Sequence, residues 1–205
     1  MNKEVRTFQC ELRKDGESRT VKGTGAVFNS RTELWDGVFE EISKGAFDEV
    51  LQDDVRALFN HNENYILART KSNTLRLSVD ERGLHYEFEA PNTTAGNDLI
   101  ESLSRGDIDQ SSFAFTVRES AWEDLGNGQW LRKITKLKRL YDVSPVTYPA
   151  YTDTTVALRE KEKRDSETNS ELEAEKNKQA EILRKQKERE RDLQLKNLNS
   201  RKAFV

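Results

Sequence analysis

The sequence predicts a mostly β domain with peripheral helices, an α+β fold, followed by a charged C-terminal tail that is helical or disordered. Three observations support this prediction. Short apolar runs separated by turn residues fill most of residues 1–150, two stretches there have helical spacing, and the residues from 159 onward are nearly all Glu, Lys, Arg, Gln and Asn. Many short strands with few helices are typical of a mostly antiparallel barrel or sandwich.

The strand predictions rest on composition and alternation. Residues 20–28 mix β-branched residues with glycines, as in a strand that bends closely past another. Residues 75–79 and 84–90 alternate apolar and polar side chains on either side of a short polar turn, which predicts a hairpin with one buried face. A further strand is predicted over residues 130–140, after a Gly-Asn-Gly turn.

Two helices are predicted between these strands. Residues 43–51 begin with a serine that can cap a helix and continue with helical spacing. Residues 97–103 place Leu99, Ile100 and Leu103 on one side of a helix. Both segments are short, so we expect them to lie at the periphery of the β structure.

The tail differs sharply from the preceding domain. Residues 159–201 contain no Gly or Pro and are rich in residues with high helix propensity. Their apolar residues do not keep a heptad over three or four repeats, so a stable long coiled coil is not expected. The sequence therefore predicts a domain over residues 1–158 and a partly helical, solvated tail over residues 159–205.

Composition limits the function classes. The 205 residues carry a formal net charge of -3, which gives no long-range attraction to nucleic acid or anionic membrane. The single cysteine, Cys10, cannot form an intramolecular disulfide, and only His61 and His85 are available as imidazole ligands. We therefore expect no metal, no cofactor, no nucleic-acid partner and no membrane partner. Without a signal peptide or an apolar span, the expected compartment is a cytoplasm.

Three segments contain the residue types of a serine hydrolase. His61 follows the apolar run Ala57-Leu58-Phe59, Ser112 precedes Phe113-Ala114-Phe115, and Asp142 opens Asp142-Val143-Ser144-Pro145-Val146. A serine hydroxyl needs an adjacent base to attack a carbonyl, imidazole can accept and return one proton near neutral pH, and a carboxylate can fix the imidazole tautomer. Each residue also has an ordinary structural interpretation: His61 as a loop histidine, Ser112 as a strand hydroxyl and Asp142 as a turn cap.

Other side chains compete for each role. Ser111 neighbours the candidate nucleophile, but its side chain should point to the opposite face of a strand. His85 lies on the polar side of the predicted hairpin and should be exposed. Asp53, Asp54 and Glu63 are alternatives to Asp142 as the acid.

The sequence around these residues resembles the prohead maturation proteases of tailed bacteriophages, the HK97 family. The similarity is concentrated in residues 58–70, 111–115 and 141–151 and in the opening segments 23–29 and 39–47. It covers roughly residues 5 to 158 and stops before the tail. The chain departs from the family pattern where Ala68 and Ala114 replace glycine and Ser111 replaces methionine. Alanine in place of glycine affects backbone detail, not the identity of the polar groups.

The resemblance implies a fold and an activity. Family members are similar in fold to the herpesvirus assemblin protease, a β-barrel wrapped by helices. The implied activity is a serine endopeptidase that cleaves the scaffolding region of the major capsid protein and then itself, with Ser112 as nucleophile, His61 as base and Asp142 as its partner. In the family pattern Arg69 follows the histidine loop, where it binds substrate or pairs with a nearby acid; we favour the pairing.

The resemblance also implies partners and a place of action. The major capsid protein with its scaffolding region is the expected partner, and the portal is a further candidate. By analogy with the dimeric herpesvirus relative, a homodimer or higher assembly is a candidate state. The expected location is the cytoplasm of an infected bacterium, inside the procapsid. On this interpretation the tail is a detachable segment. Two alternative functions for the chain are a non-catalytic scaffolding or assembly factor of the phage head and an unrelated soluble hydrolase.

Overall fold

The computed structural model describes residues 3–8, 12–14 and 18–148, together with residues 161–163, 166, 170, 173, 175–179, 181, 182 and 185. The chain divides into two compact units, Met1–Thr154 and Thr155–Val205. Cys10 and the junction at residues 149–160 lie outside the described residues. No described helix is long and apolar enough to cross a membrane.

The first unit consists mainly of strands. In chain order the elements are β1 (Glu4–Phe8), β2 (Leu12–Lys14), β3 (Thr20–Val27), β4 (Thr32–Trp35), β5 (Val38–Ile42), β6 (Arg56–Phe59), β7 (Asn62–Arg69), a 3-10 turn (Thr70–Ser72), β8 (Leu75–Val79), β9 (Gly83–Glu89), α1 (Thr94–Arg105), β10 (Gln110–Gly126) and β11 (Gln129–Val146). The prediction of a mostly β fold with peripheral helical structure is confirmed.

The strands form two sheets. The larger has the order β1-β10-β11-β5-β4, with β6 paired to both β11 and β7, and the smaller has the order β2-β3-β9-β8. Only the β11–β5 and β11–β6 pairs are parallel among the described strands. Among the described strands, β1 and β4 lie at the two ends of the order of the larger sheet and do not pair with each other. The structure therefore gives two open sheets in this part of the chain, and the closed barrel implied by the resemblance is not confirmed.

The predicted hairpin is the outer part of the smaller sheet. β8 and β9 pair antiparallel, and the apolar residues Leu84, Tyr86 and Phe88 of β9 are buried. β3 lies beside β9, as its glycines predicted. At Gly23 a Cβ atom would lie 2.4 Å from the Tyr86 ring, so only glycine leaves room for the tyrosine.

The two longest strands form a hairpin that crosses the larger sheet. β10 and β11 pair antiparallel along most of their length and are joined by Gly126-Asn127-Gly128. All three of these residues have positive φ, which glycine and asparagine tolerate best. The predicted strand at 130–140 is confirmed, and it continues to Val146. Asp142 therefore lies within a strand and does not cap a turn.

The predicted helix over residues 43–51 is wrong. This segment forms consecutive turns in which Ala46 N donates to Ser43 O, and Val50 N to Phe47 O, three residues back. Gly45 has φ of 83°, which an α-helix cannot accommodate. The helical spacing of the apolar residues nevertheless indicated burial correctly, because Ala46, Phe47 and Val50 are buried in the core.

The second predicted helix is confirmed and is longer than expected. α1 begins after Thr93, whose side chain accepts a hydrogen bond from Gly96 N, and ends at Gly106 in the left-handed conformation. Leu99 is fully buried, and Ile100 and Leu103 pack against the core from the same side.

A central apolar core keeps β10 in place. Phe113 and Phe115 are fully buried and stack with ring centroids 4.7 Å apart, and Phe47 packs on Phe113 at 5.7 Å. Burial of each phenylalanine stabilises the fold by roughly 1.5–3 kcal/mol. The strand that contains Ser112 is therefore held by its aromatic neighbours, as the alternation of residues 112–115 predicted.

The second unit contains the tail. Its described residues are helical and nearly all exposed. Lys185 and Glu181 form an ion pair with the spacing of one helical turn, as is common on solvated helices.

Candidate active site

Three segments that are distant in sequence meet at the larger sheet. His61 Nδ1 lies 2.5 Å from Asp142 Oδ1, and His61 Nε2 lies 2.6 Å from Ser112 Oγ. Because a carboxylate can only accept a hydrogen bond, Nδ1 of a neutral ring carries the hydrogen, and the Nε2 lone pair then faces the serine hydroxyl. The structure thus brings together all three side chains that the sequence singled out, in one hydrogen-bonded line.

His61 belongs to the tight turn between β6 and β7. Phe59 pairs with Asn62, which leaves Asn60 and His61 as a two-residue loop. Their φ angles are 54° and 55°, so both residues adopt the left-handed conformation of a type I′ turn. Left-handed backbone at residues other than glycine is uncommon and concentrates at functional sites. The turn aims the imidazole back at the sheet.

Asn60 attaches this turn to the end of β11. Its backbone N–H donates to Pro145 O at 3.0 Å, and its side-chain Oδ1 accepts from Thr147 N at 2.9 Å. The same strand contains Asp142. The two strands that place His61 and its carboxylate partner are therefore tied together beside the site, and Asn60 is a positioning residue.

Replacement of Asn60 should affect turnover more than binding. Asn60→Gly keeps the positive φ but removes the Oδ1 acceptor, and we expect kcat to fall about tenfold, since small misplacements of a catalytic group are costly. Asn60→Ala adds a backbone cost of about 1–2 kcal/mol in the left-handed region, so its kcat should fall further. Steady-state kinetics check this, and a wild-type kcat for Asn60→Ala would contradict the positioning role.

Ser112 lies in the first part of β10 and is fully buried. In the sheet it stands opposite Ser144 of β11 on one side and Thr7 of β1 on the other. Its neighbour Ser111 faces differently, since Ser111 Oγ lies 2.6 Å from Tyr86 Oη of the smaller sheet. The prediction that these two serines point to opposite faces agrees with these contacts.

Asp142 is held ionised by several groups. Its Oδ1 also accepts a hydrogen bond from Ser144 Oγ at 2.9 Å, and its Oδ2 forms an ion pair with Lys3 Nζ at 3.0 Å. Burial raises the pKa of Asp142, but the hydrogen bond with His61 and the electrostatic attraction of His61 and Lys3 outweigh burial and lower the pKa below its usual range. The carboxylate is thus able to stabilise an imidazolium.

The lowered pKa of Asp142 predicts a pH dependence of stability. The contribution of a carboxyl whose pKa is depressed in the folded state is complete above its unfolded-state pKa of about 3.9, and is lost as the pH falls through the folded-state pKa. The free energy of unfolding of the wild type should therefore decline more steeply on acidification below about pH 4 than that of Asp142→Asn. Urea unfolding at a series of pH values measures the two slopes.

An exposed aspartate supplies the control for this comparison. Asp109→Asn changes the same functional group at an exposed position and should keep the wild-type slope. Equal slopes for the wild type and Asp142→Asn would show that the folded state gains nothing from the ionised Asp142.

The competing acids have other contacts. Asp54 forms a two-pronged pair with Arg69, at 2.6 Å and 2.5 Å, and Arg69 lowers the pKa of Asp54 to about 2. The preferred interpretation of Arg69 as a pairing residue is therefore confirmed. Asp53 Oδ2 accepts a hydrogen bond from Leu140 N at 2.9 Å, which ties the segment before β6 to β11. Glu63 lines a pocket of about 370 Å³ together with Lys3 and Asp142.

His85 lies in the smaller sheet with its own partners. Its Nδ1 is 3.2 Å from Thr24 Oγ1, and its Nε2 lies 2.9 Å from Asp80 Oδ1. The expectation that His85 is exposed is wrong, because only 29% of its side chain is accessible. The hydrogen bond from His85 lowers the pKa of Asp80 to about 2.

Two contacts at the site were not predicted from the sequence. Lys3 stands far from Asp142 in the chain, and Ser144 resembles any other strand serine. The proximity of Lys3 to Asp142 depends on how distant segments of the chain pair in the sheet, which no short sequence pattern contains. Alternation alone did place Ser144 on the same face as Asp142, and that signal could have identified it.

A buried cluster of four charges lies on the same sheet. Its members are Glu4 and Arg6 of β1, Glu40 of β5 and Arg132 of β11, each at most 3% exposed. Arg6 donates to both acids, and Arg132 Nη1 lies 2.8 Å from a carboxylate oxygen of each. Burial lowers the pKa of Arg6, but the two carboxylates outweigh this effect and raise it. Two positive and two negative charges thus neutralise one another inside the protein.

The comparisons with known proteins give one match. Residues 6–169 match the model of the family described as caudovirus prohead serine protease, which is more than half of the chain. No curated protein and no solved structure shows a significant match. The matched range includes the turn at His61, the start of β10 and the end of β11, where the three candidate side chains meet. Among the described residues, no His, Cys, Asp or Glu side chains form a group of three or more that could hold a metal ion.

Proposed function

The chain belongs to the caudovirus prohead serine protease family, and on that premise we propose that Ser112, His61 and Asp142 are its catalytic triad. The family makes the chain a serine peptidase of phage head assembly. The observation that carries the assignment of residues is the continuous line of contacts Ser112–His61–Asp142, at 2.6 Å and 2.5 Å. Nucleophile, base and carboxylate in this order are the geometry by which such triads are recognised.

The proposed mechanism is acyl transfer through Ser112. Its Oγ attacks the carbonyl carbon of the scissile bond while His61 Nε2 takes the hydroxyl proton. His61 then returns this proton to the leaving amine, which leaves an acyl group on the serine. Water attacks the acyl group with His61 again as base, and Ser112 is regenerated. Asp142 stabilises the imidazolium in both halves of the reaction, which fits the lowered pKa of this carboxyl.

The proposed substrate is the scaffolding region of the major capsid protein. Family membership implies an association with the phage capsid protein in general. On this proposal the protein acts inside the procapsid, in the cytoplasm of the infected bacterium. The portal is a further proposed partner, and a homodimer or higher assembly is proposed by analogy alone.

The tail is the second proposed substrate. Residues 159–205 have few apolar residues with which to offset the entropy of ordering, so they should be accessible to proteolysis. We propose that the domain of residues 1–158 retains the activity and that the enzyme removes the tail in cis or in trans. The family match ends at residue 169, inside the proposed tail.

Co-expression with the cognate major capsid protein tests both cleavages. Intact-mass measurement should show a shortened capsid protein and a shortened enzyme of roughly 150 to 160 residues, because removal of the charged tail leaves the folded domain. With Ser112→Ala both proteins should keep their full mass. Full-length masses with the wild type would favour the alternative, a non-catalytic scaffolding or assembly factor.

A further inference from the structure

The candidate nucleophile is inaccessible in this structure. Ser112 has no exposed surface, although a hydrolase must bring a carbonyl carbon into contact with the serine oxygen. One covering element is β1, whose Thr7 stands directly opposite Ser112 in the sheet. Some element has to move before a peptide can reach Ser112.

β1 contacts the site at two points. Ser112 Oγ lies 2.8 Å from the carbonyl oxygen of Arg6, and Lys3 Nζ, just before the strand, lies 3.0 Å from Asp142 Oδ2. The serine has a single hydroxyl hydrogen and two acceptors within reach, Arg6 O and His61 Nε2. When the hydrogen is directed to Arg6, it is not available to the base. β1 thus competes with His61 for the serine proton.

The position of β1 is that of a bound peptide. It is a five-residue strand at the end of the larger sheet, paired antiparallel to β10 from Glu4↔Phe115 to Phe8↔Ser111. An extended peptide recognises a protein by adding a strand to such an edge through its main-chain groups. The Arg6 carbonyl presents its oxygen to Ser112, not its carbon, so β1 occupies the edge in a non-productive arrangement.

The buried charge cluster holds β1 in place. Two of its four members, Glu4 and Arg6, belong to β1, and the other two, Glu40 and Arg132, belong to the body of the sheet. Arg6 Nε lies 2.5 Å from Glu40 Oε1, and Arg132 Nη1 lies 2.8 Å from Glu4 Oε2. These contacts cross from β1 to β5 and β11. The strength with which β1 covers Ser112 therefore depends on charges that contribute nothing to the chemistry.

We propose that the edge of β10 from Ser111 to Phe115 is the peptide-binding edge of this enzyme, and that β1 is an intramolecular occupant which an extended substrate segment must displace. This inference rests on the proposed function, because it concerns access to the same serine. The ligand class is an unfolded or extended peptide whose main chain replaces the pairing of residues 4–8. The enzyme is latent while β1 is seated, and loosening of β1 makes it active.

A full-length double variant tests the inference. Glu4→Gln/Arg6→Gln removes one charge of each sign from β1 and leaves the buried Glu40–Arg132 pair, at 2.8 Å, intact. A fluorophosphonate, which forms a covalent bond to an activated serine, should label this variant at Ser112 at least about tenfold faster than the wild type, because a larger fraction of the molecules has β1 displaced. Circular dichroism checks that the variant is folded.

Controls separate this inference from the proposed function. Glu119→Gln/Lys136→Gln makes the same charge changes in an exposed ion pair, 3.2 Å apart, and should be labelled at the wild-type rate. Ser112→Ala should not be labelled. If no protein is labelled at Ser112, the proposed function fails. If the wild type and the β1 variant are labelled equally fast, the proposed function stands and the displacement of β1 is overturned.

A second measurement uses a competing peptide. A synthetic peptide of residues 2–9 should compete with β1, so at millimolar concentration it should speed the hydrogen exchange of residues 3–8 in full-length Ser112→Ala protein. A labelled form of this peptide should bind more tightly to a Ser112→Ala protein that also contains Glu4→Gln/Arg6→Gln. Peptide binding with unchanged or increased protection of residues 3–8 would place the peptide elsewhere and overturn the inference.

Discussion

Ser112→Ala and His61→Ala are each expected to abolish cleavage of the capsid protein and of the tail while leaving the fold intact. Nucleophile and base act as one unit, so removal of either costs nearly as much as removal of both, on the order of 10⁶ in kcat. The two side chains contact each other at 2.6 Å, and neither belongs to the apolar core. The double variant should therefore be no slower than either single variant.

A matched histidine variant gives the control. His85→Ala removes the other imidazole of the chain, which lies in the smaller sheet beside Thr24 and Asp80, and should cleave at the wild-type rate. Rates are measured by intact mass over time, and circular dichroism compares the folds. Processing by Ser112→Ala protein would exclude this serine as the nucleophile. A His85→Ala protein as inactive as His61→Ala would mean that both histidines serve the site.

Arg132→Met is expected to lower the free energy of unfolding by about 3–5 kcal/mol, the usual cost of removing one partner from a buried charge pair. Arg132 is fully buried and lies 2.8 Å from carboxylate oxygens of both Glu4 and Glu40. Its loss leaves those two carboxylates in the interior with only Arg6 as a positive partner. The new methionine fills volume but supplies no charge.

The control for this stability prediction comes from the same strand. Lys136 is exposed and pairs with Glu119, so Lys136→Met should change the free energy of unfolding by less than about 1 kcal/mol. Equilibrium unfolding in urea measures both variants. A loss below about 1 kcal/mol for Arg132→Met would mean that water or rearranged side chains compensate the buried acids, and that the cluster does not hold β1.

Local pattern predicted much of the fold. Alternation predicted the β8–β9 hairpin, since one buried face requires a period of two, and the Gly-Asn-Gly turn marked the start of β11. The same kind of reasoning failed over residues 43–51. There the spacing of Ala46, Phe47 and Val50 correctly indicated burial, but the backbone is a series of turns because Gly45 adopts a positive φ.

The residue types of the candidate site, and the strand that contains the serine, can be predicted from the sequence. The chemistry and the apolar neighbours of His61, Ser112 and Asp142 indicate them as candidates, and the family resemblance is what favours them over their ordinary structural interpretations. These are local properties, since side-chain chemistry and strand alternation are set by a few adjacent residues.

How these residues are held and made accessible depends on the tertiary structure. The burial of Ser112 under β1, the contact of Lys3 with Asp142 and the four-charge cluster join residues that are far apart in the chain. Such contacts depend on which strands pair and in which register, and a shift of one residue would turn every side chain of β1 to the other face. The physical reason is that register is fixed by the summed packing and pairing of whole strands, which no short segment of sequence contains.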